Sequence, residues 1–165
     1  MQQDLPRLIL AGTNSGCGKT TVTCAVLQAL VNRGLSVAAA KCGPDYIDPM
    51  FHSRVIGAKS RNLDLFMLGQ ATTRYLVAKN ARHADVAVFE GAMGFYDGMG
   101  KTTEASAYEL ACTCDVPVVL VVNGKGAALS IAATIKGFKE FRSDSHIVGA
   151  ILNNVNPMSY LFYKD

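Results

Sequence analysis

One stretch limits the possible folds of this chain more than any other. The apolar run Leu8-Ile9-Leu10-Ala11 leads into Gly12-Thr13-Asn14-Ser15-Gly16-Cys17-Gly18-Lys19-Thr20, and a helical pattern follows at once. Strand, glycine-rich loop and helix in that order form an anion cradle. Glycines let successive backbone N–H groups turn inward, and the helix N-terminus adds its positive dipole end. Residues 14–21 (Asn14, Ser15, Gly16, Cys17, Gly18, Lys19, Thr20, Thr21) are therefore the candidate phosphate cradle for a nucleoside triphosphate. Lys19 reaches the outer phosphates and the Thr20 hydroxyl serves a magnesium ion. The spacing departs from the strict phosphate-loop pattern. Thr13 stands five residues before Gly18, where that pattern has glycine, and Gly12 lies one residue further back.

The rest of the chain alternates. Val22, Ala25, Val26, Ala29 and Leu30 predict one apolar stripe on the first helix, and Gly34 predicts its stop. Strands are expected at 36–40, ending at Lys41, at 85–89, ending at Glu90, at 117–122 and at 147–152. Helices are expected at 70–81, 104–112 and 127–138, and loops at 43–49 and 91–100, the latter holding four glycines. Strands alternating with helices imply an α/β fold, a doubly wound, mostly parallel sheet of the P-loop NTPase kind. At 165 residues one domain, 1–165, is expected.

In such sheets ligands gather beyond the carboxyl ends of the strands. Those ends carry Gly12, Lys41, Glu90, Asn123 and Asn153, each following an apolar run. The loop after Lys41 reads Cys42-Gly43-Pro44-Asp45-Tyr46-Ile47-Asp48-Pro49-Met50-Phe51-His52. A lysine and two aspartates there suit phosphoryl transfer; an ordinary solvated turn is the competing reading. Glu90-Gly91-Ala92-Met93-Gly94-Phe95-Tyr96-Asp97-Gly98 tips the balance, because a carboxylate ending a buried strand before a glycine-rich loop occupies the place of a Walker B acid.

Composition excludes several classes. Half the residues are hydrophobic, which rules out a disordered tail, and the net charge of +3 comes from scattered basic residues, so no nucleic-acid footprint is expected. No apolar run has the length of a membrane span, and Met1-Gln2-Gln3-Asp4 lacks the basic start of a signal peptide. Five cysteines (17, 24, 42, 112 and 114) read as reduced thiols of a cytoplasmic protein, and His52, His83 and His146 have no metal-ligand spacing.

With these motifs in hand, the chain resembles the cobyrinic acid a,c-diamide synthase family, in its N-terminal ATP-dependent synthetase domain. The likeness rests on the phosphate loop, on Lys41-Cys42-Gly43-Pro44-Asp45-Tyr46-Ile47-Asp48-Pro49, on Arg61-Asn62-Leu63-Asp64, and on the loop from Glu90 to Gly98. It spans nearly the whole chain. The wider group includes dethiobiotin synthetase, which lacks the Pro-Asp-Tyr-Ile-Asp-Pro loop. The resemblance implies that ATP phosphorylates the a- and c-side carboxylates of a corrin-type macrocycle and that ammonia displaces the phosphate. It implies catalytic roles for Lys19, Lys41, Asp45, Asp48 and Glu90, magnesium ligands Thr20, Asp48 and Glu90, and substrate contacts from Asp45, Tyr46 and Asp97. Asn153 or Asn154 resembles the residue that reads adenine. Ammonia would come from a glutaminase domain absent from this chain. The family's synthetase domain continues past Tyr160-Leu161-Phe162-Tyr163-Lys164-Asp165, so a truncated domain is expected, with self-association through its apolar end. Two other readings remain: amidation of another tetrapyrrole (hydrogenobyrinic acid or nickel-sirohydrochlorin), and a nucleotide-dependent switch ATPase. The switch class carries a signature lysine where this chain has Asn14.

Overall fold

The structure, a computed structural model, describes residues 5–158 and Tyr160. Residues 1–4 and 161–163, on which the leader and self-association expectations fall, lie outside the described residues. Six strands form one sheet: β1 (Arg7–Gly12), β2 (Val37–Cys42), β3 (Lys59–Leu63), β4 (Val86–Glu90), β5 (Val118–Asn123) and β6 (Ile147–Asn153). Every pairing is parallel, and the spatial order is β3-β2-β4-β1-β5-β6. The helices are α1 (Lys19–Asn32), α2 (Ile47–Phe51), α3 (Leu65–Asn80), α4 (Ala107–Cys114) and α5 (Ser130–Glu140).

The central strands read as unbroken apolar runs because both faces are covered. Ile9, Ala11, Phe89 and Leu120 pack with Leu110 and Ala111 of α4 and Ile131 of α5. Leu10, Val88 and Val121 pack on the opposite face with Leu27 of α1 and Ile56. Among the described residues, no helix is long and apolar enough to cross a membrane.

Four local expectations are corrected. On α1 the buried positions are Lys19, Thr23 and Leu27, while Ala25 and Ala29 of the expected stripe are exposed. Lys19 must turn toward the phosphate loop, and that sets the helix's rotation; Val22, Val26 and Leu30 flank the buried line. The loop expected at 43–49 gives way at Ile47 to α2, and a π-type turn over His52–Ile56 and the edge strand β3, neither of them expected, follow. The sequence Lys-Ser-Arg-Asn-Leu has little strand propensity, and only Ser60 and Leu63 turn inward. The β2 ladder supplies what the side chains do not.

The third helix begins earlier than 70, at Leu65. Asp64 caps it by accepting from the Phe66 and Met67 N–H groups (2.9 and 3.2 Å), and a kink at Gly69 (φ 69°) joins this first turn to the rest. Finally, α4 starts at Ala107 rather than 104, because Ser106 Oγ accepts the Glu109 N–H (3.2 Å) and so defines the N-terminus.

Candidate active site

The loop after β1 is held from three sides. Gly12 carbonyl accepts the Phe95 N–H (2.8 Å), Thr13 N–H donates to Val121 carbonyl (3.2 Å), and Leu10 carbonyl accepts the Gly91 N–H (2.9 Å). Gly18 sits at φ 97°, in the left-handed region, and a Cβ there would collide with the Asn153 amide. Asn153 Nδ2 donates to Cys17 carbonyl (2.9 Å), so the end of β6 braces the loop. A Cβ on Gly12 would strike the buried Cys17 Sγ and the Lys19 stem, which explains the glycine at position 12. Lys19 is also buried, its Nζ donating to the Asn14 carbonyl (3.0 Å) across the loop. Asn14 bonds within the loop, to Thr13 Oγ1 and the Ser15 carbonyl. Ser15, Gly16, Thr20 and Thr21 are exposed.

Register then aligns the polar strand ends. Leu10 of β1 stands opposite Glu90 of β4, and Glu90 stands opposite Lys41 of β2. Glu90 is fully buried. Its Oε1 accepts from Thr20 Oγ1 (2.6 Å) and Lys41 Nζ (2.8 Å). Lys41 also donates to Asp48 Oδ2 (2.6 Å), with Asp45 Oδ2 at 3.9 Å. Asp45 Oδ1 accepts the Ile47 and Asp48 N–H groups (2.9 and 3.1 Å), which starts α2 and points Asp48 inward.

The electrostatics follow from this clustering. Burial works against the charge on Lys41, but its hydrogen bonds to Asp48 and Glu90 outweigh that and hold the ammonium above the ordinary lysine value. Burial would raise Asp48, yet the Lys41 contact prevails and its carboxyl is held below the usual value. Cys42, the next residue on β2, is an inert buried thiol pushed up to about 12 by desolvation.

Thr20 and Lys41 thus share Glu90 Oε1, and Asp48 joins the cluster through the Lys41 ammonium. Glu90 Oε2 is buried with no hydrogen-bond partner among the described residues. An all-oxygen donor set, the Thr20 hydroxyl with the Asp48 and Glu90 carboxylates, fits magnesium, which takes one or two protein carboxylates and completes its sphere with water and phosphate oxygens. The protein supplies only part of that sphere: no group of three or more His, Cys, Asp or Glu among the described residues could hold a metal by itself.

Other expected residues lie apart from this cluster. Tyr46 is exposed on the rim. Asp97 Oδ2 accepts the Gly94 N–H (2.9 Å) and shapes its own loop. Asn154, at φ 56°, donates to Asn123 Oδ1 (3.2 Å). One buried residue of the site went unnoticed in the sequence. His52 has Nε2 3.5 Å from Glu90 Oε2 and Nδ1 3.3 Å from Ser60 Oγ. Its place in the motif loop was visible; its inward direction, set by the π turn, was not.

A phosphate loop entering a helix after the first strand, with an acid ending the neighbouring strand of a parallel sheet, defines a nucleotide-binding domain of the P-loop NTPase class. Known proteins narrow this: the chain belongs to the CobQ/CobB/MinD/ParA nucleotide binding domain family, whose pattern matches residues 8–164. It is 48% identical over 152 residues to a cobyrinate a,c-diamide synthase of Thermoplasma volcanium, covering 92% of this chain and 33% of that protein. It is 43% identical to a hydrogenobyrinate a,c-diamide synthase of Streptomyces coelicolor, covering 92% and 31%. The chain therefore spans about a third of the length of these relatives. In solved structures the fold is shared with the signal recognition particle 54 kDa protein of Aeropyrum pernix in complex with GDP (TM-score 0.65, 17% identity, 96% of this chain and 37% of that one). It is also shared with chloroplast FtsY of Physcomitrella patens (TM-score 0.64, 15% identity, 92% and 50%).

Proposed function

We propose that this chain is the ATP-using domain of an a,c-diamide synthase that amidates a corrin-type macrocycle in cobalamin biosynthesis. The observation that carries the reading is the meeting of Thr20, Lys41, Asp48 and Glu90 within hydrogen-bonding distance beside the phosphate loop. Strong sequence likeness to cobyrinate and hydrogenobyrinate a,c-diamide synthases supports the substrate class.

A carboxylate is a poor electrophile, and phosphorylation provides a leaving group. A carboxylate oxygen attacks the γ-phosphorus, the bond to the β-phosphate oxygen breaks, and ADP departs. Ammonia then attacks the acyl carbon, inorganic phosphate leaves with the C–O electron pair, and a proton is lost from nitrogen to give the amide. Catalysis is positioning and charge neutralisation. Lys19 exchanges its Asn14 carbonyl partner for the outer phosphates. Thr20, Asp48 and Glu90 would hold magnesium, which when bound would neutralise phosphate charge. Lys41 brings a second cation to the transferred phosphoryl group. Asp45, Tyr46 and Asp97 lie in loops suited to meeting the macrocycle, and Asn153 or Asn154 contacts adenine from the β6 end.

Ammonia comes from a glutaminase domain outside this chain. The five cysteines of this chain are all free thiols, which suits the reducing cytoplasm.

The direct test incubates the chain with magnesium-ATP, ammonium, and either cobyrinic or hydrogenobyrinic acid. The expected result is ATP-dependent mono- and diamide, read by mass spectrometry. ATP bound tightly with neither macrocycle bound or amidated would favour a nucleotide switch and overturn the reading.

A further inference from the structure

His52 opens the π-type turn and is fully buried, yet the reaction outlined above gives it no part. Its Nε2 and Glu90 Oε2 face each other at 3.5 Å, and neither has a hydrogen-bond partner among the described residues. The carboxylate is thus divided. Oε1 serves Thr20 and Lys41 on the nucleotide side, while Oε2 points back toward the imidazole. On the far side of the ring Ser60 Oγ lies 3.3 Å from Nδ1.

Serine, histidine and acid in a row resemble a hydrolase triad, but Ser60 is only 3% exposed, on the inner side of β3, where no substrate carbonyl reaches it. The row works in the other direction. A hydroxyl donating to Nδ1 selects the tautomer with hydrogen on Nε2, aimed at Glu90. Bonds of this kind are often long before ligand binds and tighten afterwards. Carboxylates that ligate metals are commonly oriented by such a partner.

We propose that His52 is a positioning residue: it holds Glu90 Oε2 so that Oε1 stays turned toward Thr20 and the phosphate loop, and so sets how strongly magnesium enhances nucleotide binding. The inference rests on the reading that Glu90 serves a nucleotide-bound magnesium.

The experiment measures, by calorimetry, the affinity of the chain for a non-hydrolysable ATP analogue with and without magnesium, and takes the ratio. Glu90→Gln tests the underlying reading; a ratio equal to wild type would overturn it. His52→Leu keeps volume but removes the N–H, and the expected ratio falls about tenfold, with His52→Asn, which retains a donor, recovering most of it. A wild-type ratio in His52→Leu, while Glu90→Gln loses it, overturns this inference alone. Equal weakening of both affinities by His52→Leu leaves the ratio unchanged and would mark a structural role, which also overturns it. Should His52→Leu not fold, Ser60→Ala carries the test, since it frees the tautomer with little change in volume. A reduced ratio supports the proposal and an unchanged one overturns it.

Discussion

Lys41 and Glu90 each make sense only with the other. A fully buried carboxylate is costly unless a cation accompanies it, and Lys41 is that cation here, itself only 7% exposed. Removing one partner of such a pair destabilises by about 3–5 kcal/mol. Lys41→Ala is therefore expected to lower the urea midpoint strongly, with magnesium and nucleotide restoring part of the loss. A midpoint within error of wild type would show that the pair contributes nothing. His52 sets the acid side of the stability profile. Burial pushes its imidazole below the ordinary 6.5, outweighing the pull of Glu90, Asp48 and Asp45 and acting with the repulsion from Lys41. A depressed value means the unfolded chain binds the proton first, so this stability is present above pH 6.5 and is lost as pH falls through the folded value. Asp48, also depressed, adds a loss of the same sign at lower pH. Urea midpoints at pH 7.5 and 5.5 should differ, and His52→Asn should shrink the difference. An undiminished drop in that variant would assign it to other groups.

At the scale of elements, short caps and one left-handed glycine decide where the chain turns. Ser106 Oγ caps α4, which leads into the buried strand β5, and Ser106→Ala is expected to cost about 1 kcal/mol in thermal or urea unfolding. The junction of loop and α1 is more demanding. Gly18 needs both its left-handed φ of 97° and the space taken by the Asn153 amide. Gly18→Ala should cost at least about 1–2 kcal/mol for the backbone alone, and it should also weaken nucleotide binding, because the β6 brace must move. Wild-type stability together with wild-type affinity in this variant would mean that the loop has freedom the geometry does not suggest.

For the whole molecule, the sheet order puts β1 between β4 and β5, so the phosphate loop rises beside the Glu90 end of one neighbour and the Asn123 end of the other. A nucleotide bound there, as proposed, should stabilise the folded state. At a hundredfold excess of nucleotide over its dissociation constant, the gain expected by mass action is about 2.7 kcal/mol. Thermal unfolding with and without magnesium-ATP reads it directly. No shift at saturating nucleotide would argue against a site on the folded chain.

The phosphate loop, the alternating strands and the polar strand ends were all legible in the sequence, because each is a local pattern: glycines before a helix, apolar runs buried on both faces, charged residues where such runs stop. Those patterns name Lys19, Thr20, Lys41, Asp48 and Glu90 without any coordinates. Other features depend on partners far away in the chain. The polar strand β3 exists because β2 offers it a ladder. The role of His52 depends on a π turn that brings it within 3.5 Å of a residue 38 positions away. Hydrophobic periodicity reports what a segment buries, whereas register and side-chain direction arise only when the sheet assembles, and it is register that sets the Lys41 and Glu90 strand ends side by side.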